Sequence, residues 1–150
     1  MQRTTVIAVG KLKERFWKDA CAEYLKRLGA YTRIAVTEIP DSTPAREEAG
    51  ILAALDRLSA DAHVILLDIQ GTETSSTALS AKLDALAVHG TPQVAFVIGG
   101  SDGVSAAVRA RADERMSFGP ITLPHNLARV VLLEQIYRAH KISRGEPYHK

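Results

Sequence analysis

Two near-continuous apolar runs restrict the fold of this 150-residue chain more than any other feature. The first is HVILLDI at residues 63–69, and the second is QVAFVI at residues 93–98. Runs that do not alternate between apolar and polar residues are typical of strands buried on both faces of a parallel sheet. Consecutive parallel strands need crossover connections, which are usually helices. The two runs therefore predict an α/β fold, with a mostly parallel sheet flanked by helices.

The rest of the chain shows the alternation of strands and helices that this fold requires. Further strands are predicted at residues 4–9, 31–39 and 115–118, and helices at residues 13–28, 44–59, 76–88, 105–112 and 126–142. Thr43 is the predicted N-cap of the second helix, with Pro44 in its first turn, and Asn126 is the predicted N-cap of the last. Ligands bind such sheets at the carboxyl ends of the strands. The expected site lies at residues 68–71, at residues 99–103 and in the turn after Phe118.

Length and composition predict a single domain over residues 1–150. The one cysteine, Cys21, excludes an intrachain disulfide framework and a cysteine-based zinc site. No apolar run approaches the roughly 20 residues that span a bilayer, and the N-terminus has no signal-peptide pattern. The histidines show no metal-ligand spacing, so no metal is expected. We expect a cytoplasmic protein without a membrane partner.

Basic residues are concentrated at the two ends of the chain, although the formal net charge is only +2. Residues 1–40 carry eight Lys and Arg against four Asp and Glu, and residues 125–150 carry five against two. The middle, residues 41–124, carries six against eleven. A basic face forms if the two ends meet in space. The alternative is that these charges only solvate helix surfaces.

The segment VIGGSDGV, residues 97–104, follows a strand and precedes a helix. Its glycines fit either a close approach of the backbone to a ligand or a turn that needs positive φ angles. It lacks the pattern of a dinucleotide-binding or phosphate-binding loop.

The last helix is apolar around most of its circumference, which predicts burial on more than one side. We expect a homodimer, with a core within the single chain as the alternative. At the start of this helix, Arg129 reaches a phosphate or carboxylate, or else forms an ordinary salt bridge. The tail after Arg144 combines an aromatic residue, Tyr148, with the titratable His149.

Four segments together resemble one family, the SPOUT (trefoil-knotted) methyltransferases. They are AVGKLKE near the N-terminus, FVIGGSDG, TLPHNLARVVLLEQIYRA and the closing PYHK. Among these enzymes the chain is similar to those that methylate N3 of a pseudouridine in 23S ribosomal RNA of the large subunit. The resemblance covers essentially all 150 residues and keeps their order.

This resemblance implies a C-terminal trefoil knot, with chain threaded through a loop near residues 95–125, and a homodimer. It also implies an S-adenosylmethionine site built from three segments. By position in the motifs, the cofactor-binding residues are Leu67, Gly99, Phe118, Gly119, Pro120, Ile121, Thr122 and Leu123. They coincide with the three turns at the strand ends.

The catalytic residues implied are His149 and Tyr148, which the tail of one protomer brings to the cofactor of the other, together with Arg129. Arg138, Arg144 and Lys150 are expected to bind RNA. So small a chain has little surface with which to select an RNA sequence, so we expect the assembled ribosome as substrate. Two other functions remain open: a nucleotide-binding α/β module without catalysis, and a structural dimer bound to RNA.

Overall fold

The computed structural model of the chain describes residues 1–148. Within them, five strands alternate with five helices. In chain order these are β1 (Arg3–Val9), α1 (Arg15–Leu28), β2 (Arg33–Ile39), α2 (Pro44–Asp56), β3 (His63–Glu73), α3 (Ser76–Val88), β4 (Gln93–Ile98), α4 (Ala106–Arg111), β5 (Glu114–Ser117) and α5 (His125–Ser143). The predicted α/β alternation is confirmed, and α3 and β4 have the predicted bounds.

The strands form one sheet in the order β2-β1-β4-β3-β5, and every neighbouring pair is parallel. In β4, which occupies the central place, all six residues are buried. Side chains of a strand point alternately to the two faces of the sheet, so the apolar run of β4 supplies both faces. Phe96 packs with α1, α3 and α5 on one face, whereas Val97 packs with α2 and α4 on the other.

Strand β3 extends beyond its predicted end at Ile69 and continues to Glu73. Its pairing with β5 shifts register between Leu67 and Thr72, as in a β-bulge. At Gly71, inside this bulge, a Cβ atom would lie 2.7 Å from the backbone of Arg115. The glycine therefore allows β5 to approach a polar stretch that, from sequence alone, was expected to be a loop.

The predicted cap of α2 is confirmed, whereas the predicted cap of α5 is wrong. Thr43 accepts a hydrogen bond from the Arg46 backbone N–H, and Pro44 occupies the first turn. Helix α5 instead begins at His125, with Pro124 in the N-cap position. Pro124 has extended backbone angles, and its carbonyl accepts from the Ala128 N–H at 2.9 Å. Asn126 consequently lies inside the helix, where its Oδ1 is buried without a hydrogen-bond partner among residues 1–148.

Two negative findings apply to the described part of the chain. None of its helices has the length and apolar character needed to cross a membrane. Residues 1–148 also contain no cluster of three or more His, Cys, Asp or Glu side chains arranged to hold a metal ion.

Candidate functional site

A cavity of about 720 Å³ lies at the bulge of β3, where β4 and β5 end and α5 begins. Because parallel strands all finish at the same edge of a sheet, residues far apart in sequence meet there. Its size falls within the range typical of small-molecule sites. The cavity is lined by Leu67, Asp68, Ile69, Ile98, Gly99, Gly100, Ser101, Gly103, Val104, Arg109, Met116, Ser117, Phe118, Gly119, Ile121, Thr122, Leu123, Pro124, His125 and Ala128.

One wall is the glycine-rich loop after β4. The Gly103 N–H donates to the Gly100 carbonyl at 3.0 Å, and Gly103 has a φ of 78°. A Cβ atom at Gly99 would lie 2.7 Å from the side chain of Val104. The predicted turn with a positive φ is therefore confirmed, and the loop also lines the cavity.

A second wall is the segment after β5, which Ser117 helps to shape. The Ser117 hydroxyl accepts a hydrogen bond from the Gly119 N–H at 3.0 Å, and Gly119 has a φ of 112°. A residue with a side chain would be strained at that φ angle, which explains why a glycine occupies position 119. Ile121, farther along, is 76% exposed although it lines the cavity, which leaves an apolar side chain at its mouth.

Most of the predicted cofactor residues meet around this one cavity. Its lining includes seven of them, namely Leu67, Gly99, Phe118, Gly119, Ile121, Thr122 and Leu123. Pro120 is exposed and does not belong to the lining, although it lies within the same segment. Sequence reasoning missed Arg109, His125 and Ala128, whose side chains lie on helices that follow the recognised loops. The sequence did offer one signal for these residues, because α4 and α5 directly follow two of the loops that were expected to form the site.

Charged groups also line the cavity. Asp68, at the bulge of β3, accepts a hydrogen bond from the Gln70 backbone N–H at 3.0 Å. Its other carboxylate oxygen lies 3.9 Å from Nε of Arg109 and 3.4 Å from Nη1 of Arg115. Asp68 does not cap a helix, because its carboxylate accepts from the backbone of the β3 bulge and α3 is capped by Ser75.

Arg129 is 3% exposed and is not among the residues lining the cavity. Its Nη1 donates to Oε2 of Glu38 at 2.6 Å, and its Nη2 donates to the Gly10 carbonyl at 2.9 Å. The salt bridge that the sequence left open is therefore present, joining the first turn of α5 to the ends of β1 and β2. Burial raises the pKa of the nearby Cys21 thiol, while the charge of Arg129 opposes this rise.

Tyr148, the last residue that the structure describes, folds back onto α5. Its hydroxyl donates to Oε2 of Glu134 at 2.9 Å, and its ring meets Tyr137 edge-on at 4.9 Å. Burial and the hydrogen bond to Glu134 raise the pKa of Tyr148 to about 12. Tyr148 does not line the cavity of its own chain. The predicted catalytic His149 and the predicted RNA-binding Lys150 lie outside the described residues.

The two other predicted RNA-binding residues lie in the C-terminal half of α5 and just beyond it. Arg138 pairs with Glu134 at 2.8 Å and sits 4.6 Å from the centre of the Tyr148 ring. Arg144 sits 4.7 Å from the centre of the Tyr31 ring. Neither arginine lines the cavity.

The segment just after α5, from which the C-terminal tail continues, is held by three residues, Glu146, Lys141 and Tyr31. We call this group the Glu146 clasp. The Glu146 carboxylate accepts from the Tyr31 hydroxyl at 2.8 Å and from Nζ of Lys141 at 2.9 Å. These hydrogen bonds lower the pKa of Glu146, with that from Lys141 the larger cause. The clasp connects the end of α5 to the turn between α1 and β2. Glu146 itself lies two residues before Tyr148.

The basic ends of the chain meet around the same aromatic side chains. Arg27, in the last turn of α1, lies 5.6 Å from the centre of the Tyr137 ring on α5. Lys141 lies 5.5 Å from the same ring. Part of this charge is neutralised locally, because Arg27 pairs with Glu23 at 2.7 Å. The two helices nevertheless place cations from both ends of the sequence on one part of the surface.

Helix α5 leaves some of its apolar side chains only partly covered. Leu132, Leu133 and Ile136 are fully buried, whereas Leu127 and Val131 are half-buried. Val131 also lines a smaller cavity of about 280 Å³ between α5 and the start of α3. The single chain thus covers one side of the helix and leaves the other partly accessible.

Comparison with known proteins gives a consistent result. Residues 2–149 match the family described as "Predicted SPOUT methyltransferase". A relative from Bacillus thuringiensis (strain Al Hakam) is 49% identical over 157 aligned residues, which cover 97% of this chain and 98% of the relative. That relative is named ribosomal RNA large subunit methyltransferase H. A relative from Bacillus anthracis has the same name, identity and coverage.

Solved structures share the fold at much lower sequence identity. A probable methylase family protein from Haemophilus influenzae Rd KW20 gives a TM-score of 0.57 at 14% identity, over 99% of this chain and 71% of that one. The TrmH/SpoU tRNA modifying enzyme of A. aeolicus gives a TM-score of 0.50 at 14% identity, over 97% of this chain and 78% of that one.

Proposed function

Because the chain belongs to the SPOUT methyltransferase family, we propose that it transfers a methyl group from S-adenosylmethionine to N3 of a pseudouridine in 23S ribosomal RNA. The proposed substrate is the assembled ribosome, and the proposed location is the cytoplasm. The relatives' name, which refers to large-subunit ribosomal RNA, supports the RNA substrate. In this proposal residues 1–150 act as one domain with a C-terminal trefoil knot.

The observation that carries the proposal is the cavity at the bulge of β3 and the carboxyl ends of β4 and β5. Leu67, Ile98, Phe118 and Leu123 give it apolar walls, which suit the adenine of the cofactor. Gly99 and Gly100 also line the cavity, and this wall packs closely against Val104 and Glu47 in the space that larger side chains would need. When bound, S-adenosylmethionine supplies an electrophilic methyl group on a sulfonium.

The protein must then place N3 in line with that methyl group and remove the N3 proton. Positioning accounts for much of the rate of such a transfer. His149 is the proposed proton acceptor, since an imidazole is largely neutral at pH values above its ordinary pKa and can then act as a base. Tyr148 is less suited to that role, because its raised pKa of about 12 keeps the phenol protonated. Its ring is instead available to stack on the base.

The proposed enzyme is a homodimer in which each tail completes the partner's site. Two observations support this arrangement. Tyr148 lies away from the cavity of its own chain, and α5 leaves Leu127 and Val131 only partly covered. Arg129 contributes by position, since its contacts with Glu38 and Gly10 fix the start of α5, from which His125 lines the cavity. Arg138, Arg144 and Lys150 bind RNA phosphates.

Transfer of a tritiated methyl group to ribosomes that lack the modification tests the proposal. We expect labelling of ribosomes and much weaker labelling of free ribosomal RNA. Deletion of residues 147–150 removes both proposed catalytic residues of the tail, so transfer should fall by at least about a hundredfold. Calorimetry with S-adenosylmethionine should show that the shortened protein still binds the cofactor.

Other results would favour the alternatives. A folded dimer that binds S-adenosylmethionine and labels no RNA would be a binding module without catalysis. A folded dimer that binds RNA and ignores S-adenosylmethionine would be a structural RNA-binding protein. Equal labelling of ribosomes and free RNA would refute the requirement for the assembled ribosome.

A further inference from the structure

Two oppositely charged side chains face the same cavity from different elements. Among the lining residues, Asp68 supplies the carboxylate and Arg109 supplies the guanidinium. Asp68 comes from the bulge of β3, and Arg109 comes from α4, which follows the glycine-rich loop. The Asp68 side chain is 14% exposed, whereas that of Arg109 is 50% exposed. A mostly buried anion therefore lies beside a more accessible cation.

The contact between them is too loose to saturate either group. The distance from Arg109 Nε to Asp68 Oδ2 is 3.9 Å, whereas charge-assisted hydrogen bonds are typically about 2.7–2.9 Å long. Within residues 1–148 the Arg109 guanidinium makes no hydrogen bond of its own. The pair therefore has unused hydrogen-bonding capacity, because a carboxylate can accept more than the two hydrogen bonds that Asp68 receives from Gln70 and Arg115.

We propose that Asp68 and Arg109 bind the zwitterionic amino-acid group of the cofactor, with Asp68 accepting from its ammonium and Arg109 donating to its carboxylate. This inference rests on the proposed function, which supplies S-adenosylmethionine as the ligand. An ammonium and a carboxylate on the same carbon atom match a carboxylate and a guanidinium a few ångströms apart. The cavity then distinguishes S-adenosylmethionine from nucleosides that lack the amino-acid end.

A nucleic-acid phosphate fits this pair less well. A phosphate bound to Arg109 would lie close to the carboxylate of Asp68, and like charges at that distance repel each other. A zwitterion avoids the conflict because its positive end faces the carboxylate. The ligand also carries a sulfonium, so its net positive charge favours a cavity with a buried acid.

Arg115 provides a matched control. It lies 3.4 Å from the same Asp68 oxygen, and its side chain is 46% exposed, close to the value for Arg109. Unlike Arg109, it does not line the cavity. Replacing either arginine with glutamine therefore removes one positive charge near Asp68, but only one replacement removes a group that faces the ligand.

Calorimetric titration of the full-length protein with three ligands tests the assignment. The ligands are S-adenosylmethionine, its decarboxylated analogue and 5′-methylthioadenosine, which lacks the amino-acid end altogether. The wild-type protein should bind the decarboxylated analogue about tenfold more weakly than S-adenosylmethionine. In Arg109→Gln this difference should disappear, because only the affinity for S-adenosylmethionine falls. Asp68→Asn should weaken the binding of S-adenosylmethionine and of its decarboxylated analogue, which both carry the ammonium. Binding of 5′-methylthioadenosine should stay unchanged.

The outcomes separate this inference from the function on which it rests. If the folded wild-type dimer binds none of the three ligands, the proposed function itself fails. If it binds S-adenosylmethionine but Arg109→Gln still distinguishes the decarboxylated analogue as the wild type does, the assignment of Arg109 is wrong. An equal loss of affinity for S-adenosylmethionine in Arg109→Gln and Arg115→Gln would also overturn it. The loss would then follow from removing any positive charge near Asp68. Unchanged cofactor binding with weaker ribosome binding would assign Arg109 to RNA instead.

Discussion

The two ends of α5 handle positive charge in opposite ways. At its N-terminal end, Arg129 is 3% exposed and is held by Glu38 and the Gly10 carbonyl. At its C-terminal end, Arg138 and Arg144 lie over the aromatic rings of Tyr148 and Tyr31 and keep part of their surface exposed. One end uses its charge to fix the fold, whereas the other keeps cations at the surface.

This difference indicates which arginines are available to a partner. A buried guanidinium with hydrogen-bonded partners is costly to remove and unable to reach an outside ligand. Cations stacked on aromatic rings contribute little to stability individually, and they remain able to contact phosphates. The comparison therefore indicates a structural role for the N-terminal end of α5 and supports the RNA contacts that we propose at its C-terminal end.

Replacing Arg129 should have the largest effect on stability. Arg129→Ala removes two charge-assisted hydrogen bonds and leaves the Gly10 carbonyl without its donor. We expect the free energy of unfolding to fall by about 3 kcal/mol. Arg144→Ala, the control at the other end of α5, should change it by no more than about 0.5 kcal/mol. Urea unfolding of both variants measures these free energies. If both variants lost a similar free energy of unfolding, the two ends of α5 would not differ in their contribution to stability.

Opening the Glu146 clasp should have an intermediate effect, on activity rather than on binding. The double variant Tyr31→Phe with Glu146→Gln keeps the ring and the side-chain length but weakens the attachment of the tail. We expect kcat for methyl transfer to fall about tenfold, because misplaced catalytic groups lose rate. The affinity for S-adenosylmethionine should stay the same. A loss of cofactor affinity without a loss of kcat would contradict a role in placing the tail.

The pH dependence of stability should show the smallest effect. Burial, assisted by the charge of Arg144 and opposed by that of Asp84, lowers the pKa of His140 below its ordinary value. The unfolded state then binds a proton more readily than the folded state, so the protein loses stability as the pH falls below about 6.5.

His140→Phe should remove this dependence while keeping a ring beside Tyr31, with which His140 stacks at 5.7 Å. We expect the wild type to lose up to about 1 kcal/mol more than the variant between about pH 7 and pH 5, as measured by urea unfolding. Parallel losses in the two proteins would assign the pH effect to other groups.

The sequence predicted those elements whose burial is visible in their own composition. The run QVAFVI identified β4 because a strand that is covered on both faces is apolar at nearly every position, and such a run is visible in the sequence. The far end of β3 was missed because residues 70–73 are polar. They form a strand only because Gly71 allows the backbone of β5 to approach.

The candidate site was predictable where a loop contributes to the cavity, and less so where a helix does. Gly99 directly follows one predicted strand and Phe118 ends another, so the fold alone directed attention to them. For Arg109 the only signal was its position after one of these loops, because its distance from Asp68 depends on how α4 packs. The partners of Arg129 were equally hidden, since Glu38 lies 91 residues away in the sequence.

The central place of β4 also determines when the chain can fold during synthesis. β4 joins the β2-β1 pair to the β3-β5 pair, and β3 finds both of its sheet neighbours later in the sequence. The pairing of β1 with β4 brings Arg3 beside Gln93, so a long stretch of chain must close before the sheet is continuous. Parallel sheets with such distant pairings form slowly. A nascent chain that ends before β4 therefore holds the β1-β2 pair and an unpaired β3, and folding is completed late.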